Sequence, residues 1–274
     1  MTSTTLTRAP GRVPDRAAPD RIGLTETVRQ SFTMGWRGVL KIRHNPEQLF
    51  DVVLQPVVFT LMFTYIFGGA ISGDVHSYLP VIIPGILVQT VIVASIVTGT
   101  QLREDMNKGV FDRFRSLPIA RISPLAGALL ADVVRYLIAT VITFVVGIAM
   151  GWRPDPVGVL ASTALILFCS FAVSWIFALM GCLMQKATSV QGVSMMIMFP
   201  LTFLSNAFVP VETMPGWLQA FVNVNPISHL VSAIRELCNS GHAGVHVVWS
   251  LVGALVIIAI FAPLAVRAYI RNAR

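Results

Sequence analysis

Charge is what this chain has least of. Only 12% of its 274 residues are Asp, Glu, Lys or Arg, about half the share carried by a soluble globular domain. A water-facing enzyme fold is therefore disfavoured. With 55% hydrophobic residues, so is a disordered chain. The motifs of several chemistries are missing as well. No Gly-Lys dipeptide occurs, so the glycine-rich cradle that holds nucleotide phosphates with a lysine cannot be built. There is no Gly-x-Ser-x-Gly nucleophile turn and no His-Glu-x-x-His zinc helix. His242 and His246, four apart, would share a helix face but have no third ligand close in sequence. The three cysteines, Cys169, Cys182 and Cys238, make no disulfide framework, and two sit inside an apolar run as small buried hydrophobes. No apolar stretch precedes residue 49, which argues against a cleaved signal peptide and makes the first span the insertion signal. No span carries the run of basic residues that a voltage sensor needs.

What is present is a set of apolar runs of about 20 residues, the length at which a helix crosses a bilayer. The expected fold is an all-α integral membrane protein with six transmembrane helices: about 49–70, 78–100, 126–150, 157–184, 190–209 and 245–266. Residues 1–21, rich in Pro, Ala, Thr and Arg, read as a disordered cytoplasmic tail, and 22–274 as one transmembrane domain. Between them Leu24, Val28, Phe32, Trp36 and Leu40 recur every fourth residue beside Arg29, Thr33, Arg37 and Lys41. That is the pattern of an amphipathic helix lying in the membrane interface.

The basic residues fix an orientation. Seventeen Lys and Arg fall before the first span, between the second and third, between the fourth and fifth, or after the sixth. Only Arg153 and Arg235 fall in the alternate loops, with Arg135 inside a span. The positive-inside rule then places both termini in the cytoplasm of a multi-pass cell-membrane protein. The formal charge of +7 is thereby topological and gives no separate support to nucleic-acid binding.

Three places could carry function. Asp132 and Arg135, three apart on one helix, form a candidate ion pair expected at the cytoplasmic membrane boundary. The loop Leu102–Pro124 interleaves Glu104, Asp105, Arg113 and Arg115 with Phe111 and Phe114, a docking surface for a soluble partner. The external segment Pro210–Gly244 is apolar but broken by Pro215, Asn225, Pro226 and Arg235. It reads as a re-entrant pair of short helices, about 215–222 and 226–238, with Asn225 capping the second and Pro226 in its first turn.

In that order and topology, the Leu117-Pro118-x-x-Arg121 turn, Ala131-Asp132 with Arg135, Pro215-Gly216-Trp217-Leu218, and Asn225-Pro226 with Arg235 resemble a known family. They look like the type-2 ABC transporter permeases, specifically the daunorubicin-resistance-like membrane subunits of actinobacteria, from about Leu24 to Ala268. Where that family often has Tyr after Asn-Pro, this chain has His229. The resemblance implies an N-terminal interfacial helix and an external re-entrant hairpin between spans five and six. It implies a partner: two copies of a separate ABC ATPase, seated on a coupling helix with Glu104, Asp105, Phe111, Arg113, Phe114 and Arg115. A second permease, identical or a sister chain, completes the dimer. The chain would bind no cofactor itself, ATP and Mg being held by the ATPase. Its implied work is export of hydrophobic or amphipathic molecules, drugs or lipids. An ion-coupled carrier of hydrophobic compounds is the alternative, weakened by the lack of embedded carboxylates. An intramembrane enzyme is weakened by the missing catalytic constellations.

Overall fold

The computed structural model describes residues 24–43, 46–109 and 122–272, and among these the only regular elements are helical. The tail 1–21, the turn residues Leu117, Pro118 and Arg121, and the loop residues Phe111, Arg113, Phe114 and Arg115 lie outside the described residues. In chain order the helices are α1 (Leu24–Arg43), α2 (Pro46–Ser72), α3 (Val75–Asn107), α4 (Ser123–Ala149) and α5 (Pro156–Leu183). There follow α6 (Ala187–Phe203), α7 (Gly216–Val224), α8 (Pro226–Ser240) and α9 (Val245–Asn272). Four of them, α3, α4, α5 and α9, are long and apolar enough to cross a bilayer. The apolar stretches of α2 (Val53–Gly69) and α6 are shorter.

α3 is the axis of the bundle. It runs buried along most of its length, with α2, α4, α5, α6 and α8 packed around it. Two prolines inside it, Pro80 and Pro84, have no N–H to give the preceding turn. Pro84 thus frees the carbonyl of Pro80, and Asn239 Nδ2 of α8 donates to it at 3.1 Å. This is how a helix keeps a proline among apolar neighbours: another element supplies the lost donor.

Close backbone approaches set the helix crossings. A Cβ on Gly99 of α3 would lie 2.3 Å from the Phe177 carbonyl oxygen of α5. One on Gly158 of α5 would lie 1.8 Å from the Leu237 oxygen of α8. Glycine is required there because helices without a hydrophobic driving force between them associate through close packing.

The bundle has two distinct ends. At one, Leu102 and Leu125 pack with Trp175, Cys182, Ala265 and Tyr269, gathering the C-termini of α3, α5 and α9 with the N-terminus of α4. Asn107 Nδ2 donates to Gln185 O there at 3.5 Å, bringing in the α5–α6 turn. At the other end, Tyr78 Oη donates to Phe208 O at 2.6 Å, and Asp155 N to Cys238 O at 2.7 Å.

α1 lies against the start of α4 through small residues: a Cβ on Gly127 would come within 2.5 Å of Met34 Cβ. Its apolar stripe faces away from the bundle, with Phe32 and Trp36 about two-thirds exposed, at 65% and 66%.

One helix is shorter than the sequence suggests. A span over 190–209 is expected, but α6 stops at Phe203, and Ser205 to Phe208 are buried as a non-helical segment. Local side chains compete with the helix here. Ser205 Oγ donates to Thr202 O at 2.5 Å and accepts from Ala207 N at 3.2 Å. Ala207 then sits directly under Gly85 of α3, where a Cβ would be 1.9 Å from its carbonyl oxygen.

Candidate functional site

Asp132 and Arg135 are neighbours on one face of α4 by the three-residue helical spacing, and Arg135 Nη2 meets Asp132 Oδ1 at 2.9 Å. Both side chains are almost completely buried, at 4% and 2% exposed. Thr98 Oγ1 of α3 donates to the other carboxylate oxygen of Asp132. The Thr98 hydroxyl lies 3.2 Å from Tyr136 Oη, which in turn lies 2.7 Å from Ser174 Oγ of α5. Ser174 donates onward to Ser170 O at 2.7 Å. A polar seam thus crosses three helices in the interior.

On the Arg135 side the seam is incomplete. Nη2 also reaches Gln101 Oε1 at 3.3 Å, while Nε and Nη1 have no partner among the described residues. Arg135 lines a cavity of ≈ 530 Å³, within the size range of small-molecule sites. α2 and α6 flank α3 here without packing closely on each other, leaving the groove between them. Its walls are mostly apolar, among them Val58, Phe59, Val97 and Met195, with Gln55, Thr90, Thr100 and Gln191 interspersed.

The external motif is spread over a larger area. Trp217 is 71% exposed on α7. Asn225 is buried and does two things. Its Oδ1 accepts from Ile227 N at 2.9 Å, capping α8, whose first residue is Pro226. Its Nδ2 donates to Leu201 O at 2.7 Å and Leu204 O at 3.1 Å, closing the frayed end of α6. Arg235, ten residues on, donates from Nη2 to Val81 O at 2.9 Å and Asn206 O at 3.0 Å. The Asn-Pro and Arg positions therefore fasten the buried Ser205–Phe208 segment to α3 and α8. Asn225→Ala is expected to cost about 2–3 kcal/mol, summing a lost cap with buried carbonyls left without donors. Asn225→Ser, which keeps only the cap, should recover part of the melting midpoint of the detergent-solubilised protein.

On α3, Glu104 is exposed and pairs with Lys108 at 3.3 Å, and Arg103 Nη2 holds Asn107 Oδ1 at 2.6 Å. Glu104 and Asp105 thus occupy the last turns of α3, at the end of the bundle that holds the C-termini of α5 and α9.

Sequence spacing missed the cross-helix partners. Thr98 and Ser174 stand 34 and 38 or more positions from the groups they hold, and nothing in a linear pattern joins them. Tyr136 was within reach, one residue after Arg135. The histidines pair differently from the spacing: His242 lies before α9, 2.6 Å from Ser240 O, whereas His246 Nδ1 lies 3.1 Å from His229 Nδ1 of α8. Glu236 stands 3.7 Å from His246 Nε2, and Trp249 stacks over His229. Among the described residues no group of three or more His, Cys, Asp or Glu could hold a metal.

Burial first, and the neighbouring His246 second, hold His229 below its ordinary value of 6.5. The His229 contribution to the α8–α9 contact is therefore fully present above pH 6.5 and declines as pH falls below it, because undocked His229 takes up a proton before the docked form does. Hydrogen exchange at the start of α8 should accelerate on acidification below 6.5, and His229→Phe should remove that dependence.

Long apolar helices around a buried axis, with prolines rescued by neighbouring side chains and glycines at the crossings, define a polytopic integral membrane protein. The chain belongs to the ABC-2 type transporter family, whose model matches residues 29–238. It is 43% identical over 257 residues to the daunorubicin resistance ABC transporter permease protein DrrB1 of Streptomyces coeruleorubidus, covering 92% of this chain and 90% of that one. It is 24% identical to the probable doxorubicin resistance ABC transporter permease protein DrrC of Mycobacterium tuberculosis, over 88% of this chain and 86% of that one. The putative transport permease ycf38 of Cyanophora paradoxa is 26% identical, over 77% and 74%.

Proposed function

We propose that this permease is the membrane half of an ATP-driven exporter of amphipathic small molecules, with drugs of the kind named for its relatives as the leading cargo. The observation that carries the proposal is the 43% identity to a daunorubicin resistance permease along nearly the full length of both chains. The groove beside Arg135 supports it, offering an apolar-walled site of drug-like volume between α2 and α6.

In this reading α2, α3, α4, α5, α6 and α9 are the six spans, and α7 with α8 forms the external re-entrant hairpin. α6 is about 25 Å long at 1.5 Å per residue, and the buried Ser205–Phe208 segment extends its reach. The outward apolar stripe of α1 suits the membrane interface. The bundle end that holds Arg103, Lys108, Lys186 and Arg271 faces the cytoplasm, with both termini, in the cell membrane.

At that end Glu104 and Asp105 lead into the loop carrying Phe111, Arg113, Phe114 and Arg115, which docks on a separate ABC ATPase. Two ATPase copies and a second permease complete the transporter, and ATP with Mg is bound by the ATPase alone. An ion-coupled carrier fits less well, since Asp132 is the one buried acidic residue among the described residues and is committed to Arg135. Co-purification with the ATPase, followed by daunorubicin-stimulated ATP hydrolysis in vesicles, tests the reading. Charge reversal at Glu104 and Arg113 together is expected to abolish that stimulation; hydrolysis at the unmodified level would remove the coupling role from this loop.

A further inference from the structure

The Arg135 guanidinium is built to hydrogen-bond something the described residues do not supply. Its charge is already neutralised by Asp132 at 2.9 Å, so the pair as a whole has no use for an anion. Yet Nε and Nη1 are buried without a partner among the described residues, and the residue lines the ≈ 530 Å³ cavity. A buried donor left unsatisfied is costly, and a charged donor more so, which makes an acceptor arriving from the cavity strongly favourable. The surrounding walls are mostly apolar, Val58, Phe59 and Val97 among them. A ligand that satisfies both features is a largely apolar molecule that presents a neutral, carbonyl-type acceptor oxygen to the pair.

We infer that Arg135 is a binding residue that selects such carbonyl-bearing amphipathic molecules in the groove between α2, α3, α4 and α6. The inference rests on the permease reading for its biological meaning, but binding needs only the isolated chain. An acceptor oxygen of this kind is carried by cargo and by the ester groups of lipid, and the experiment separates them.

The probes are fluorenone and fluorene, which differ by one carbonyl oxygen, measured by equilibrium dialysis against the full chain in dodecyl maltoside. The unmodified protein should bind fluorenone about tenfold tighter or more, the size of a hydrogen bond to a charged group. In Asp132→Asn with Arg135→Met the carboxylate is not left unpaired, and the preference should collapse to about one. Asp132→Asn with Arg135→Lys, which restores a donor, should recover part of it. Ala94→Phe, which fills the cavity wall and leaves the pair intact, should remove binding of both probes.

Equal affinity for the two probes in the unmodified protein, or a preference that survives in the folded Arg135→Met double variant, overturns the inference. So does fluorenone binding untouched by Ala94→Phe. Displacement of fluorenone by a diester phosphatidylcholine but not by its diether counterpart identifies lipid as the source of the acceptor. No displacement by either identifies cargo. Selectivity lost while drug-stimulated ATP hydrolysis by the complex persists discards the Arg135 site alone. Selectivity retained without any such hydrolysis discards the permease reading alone.

Discussion

Asp132→Ala is expected to destabilise the protein by about 3–5 kcal/mol, the cost of leaving one member of a buried ion pair without the other. The physical reason is asymmetric. Without Asp132, Arg135 keeps only Gln101 as a partner, and an arginine cannot shed its charge. Without Arg135, Asp132 keeps the Thr98 hydroxyl and can become neutral by taking up a proton. Arg135→Ala should therefore be the milder change, at roughly 3 kcal/mol or less. Replacing both, as Asp132→Asn with Arg135→Met, should restore most of the loss, since a buried pair contributes little net stability against neutral side chains of similar volume. Melting midpoints of the four proteins in one detergent check the order. Equal losses for the two alanine variants would show that the seam through Thr98, Tyr136 and Ser174, rather than the charges, sets the cost.

The second large effect is steric. Gly158→Ala places a methyl group 1.8 Å from the Leu237 carbonyl oxygen, and Gly85→Ala places one 1.9 Å from that of Ala207. In both cases the obstacle is backbone, which cannot rotate aside as a side chain can. α5 must separate from α8, or α3 from the Ser205–Phe208 segment, by more than an ångström. Each change should cost at least the upper end of the ~1–3 kcal/mol typical of overpacking, and the two together should prevent a monodisperse protein. Gly253→Ala is the control, because nothing lies within 4 Å of its added Cβ. Helix propensity alone then favours alanine by up to ~1 kcal/mol. A stability loss at Gly253 equal to that at Gly158 would show that glycine matters here for flexibility, not for close approach.

Several features of the molecule are legible from the chain. The Asn225-Pro226 boundary is one, since the cap and the first-turn proline are local chemistry that no tertiary context alters. The extents of α1, α7 and α8 follow from periodicity and helix breakers in the same way. The end of α6 is not legible. Phe203 to Val209 is apolar enough to continue a span; the local Ser205 bonds compete with the helix, but it is Asn225, Arg235 and Tyr78, all remote in sequence, that bond carbonyls of residues 201 to 208 and hold the non-helical path. The pairing of Asp132 with Arg135 is legible, because helical geometry puts residues three apart on one face. Its burial beside a cavity is not.

That this chain lives in a membrane, and which of its segments are helical, follows from composition and spacing alone, and a handful of ordered motifs carries the family resemblance. These are properties of composition and of short-range spacing, fixed by bilayer thickness and helix pitch. Packing between helices is what leaves two guanidinium nitrogens of Arg135 without a partner among the described residues, sets that side chain beside an apolar groove, and lays Gly85 and Gly158 under foreign carbonyls. These depend on what a different helix brings to the same place, and in a bundle whose helices are all apolar no pattern along one helix says which neighbour it will meet.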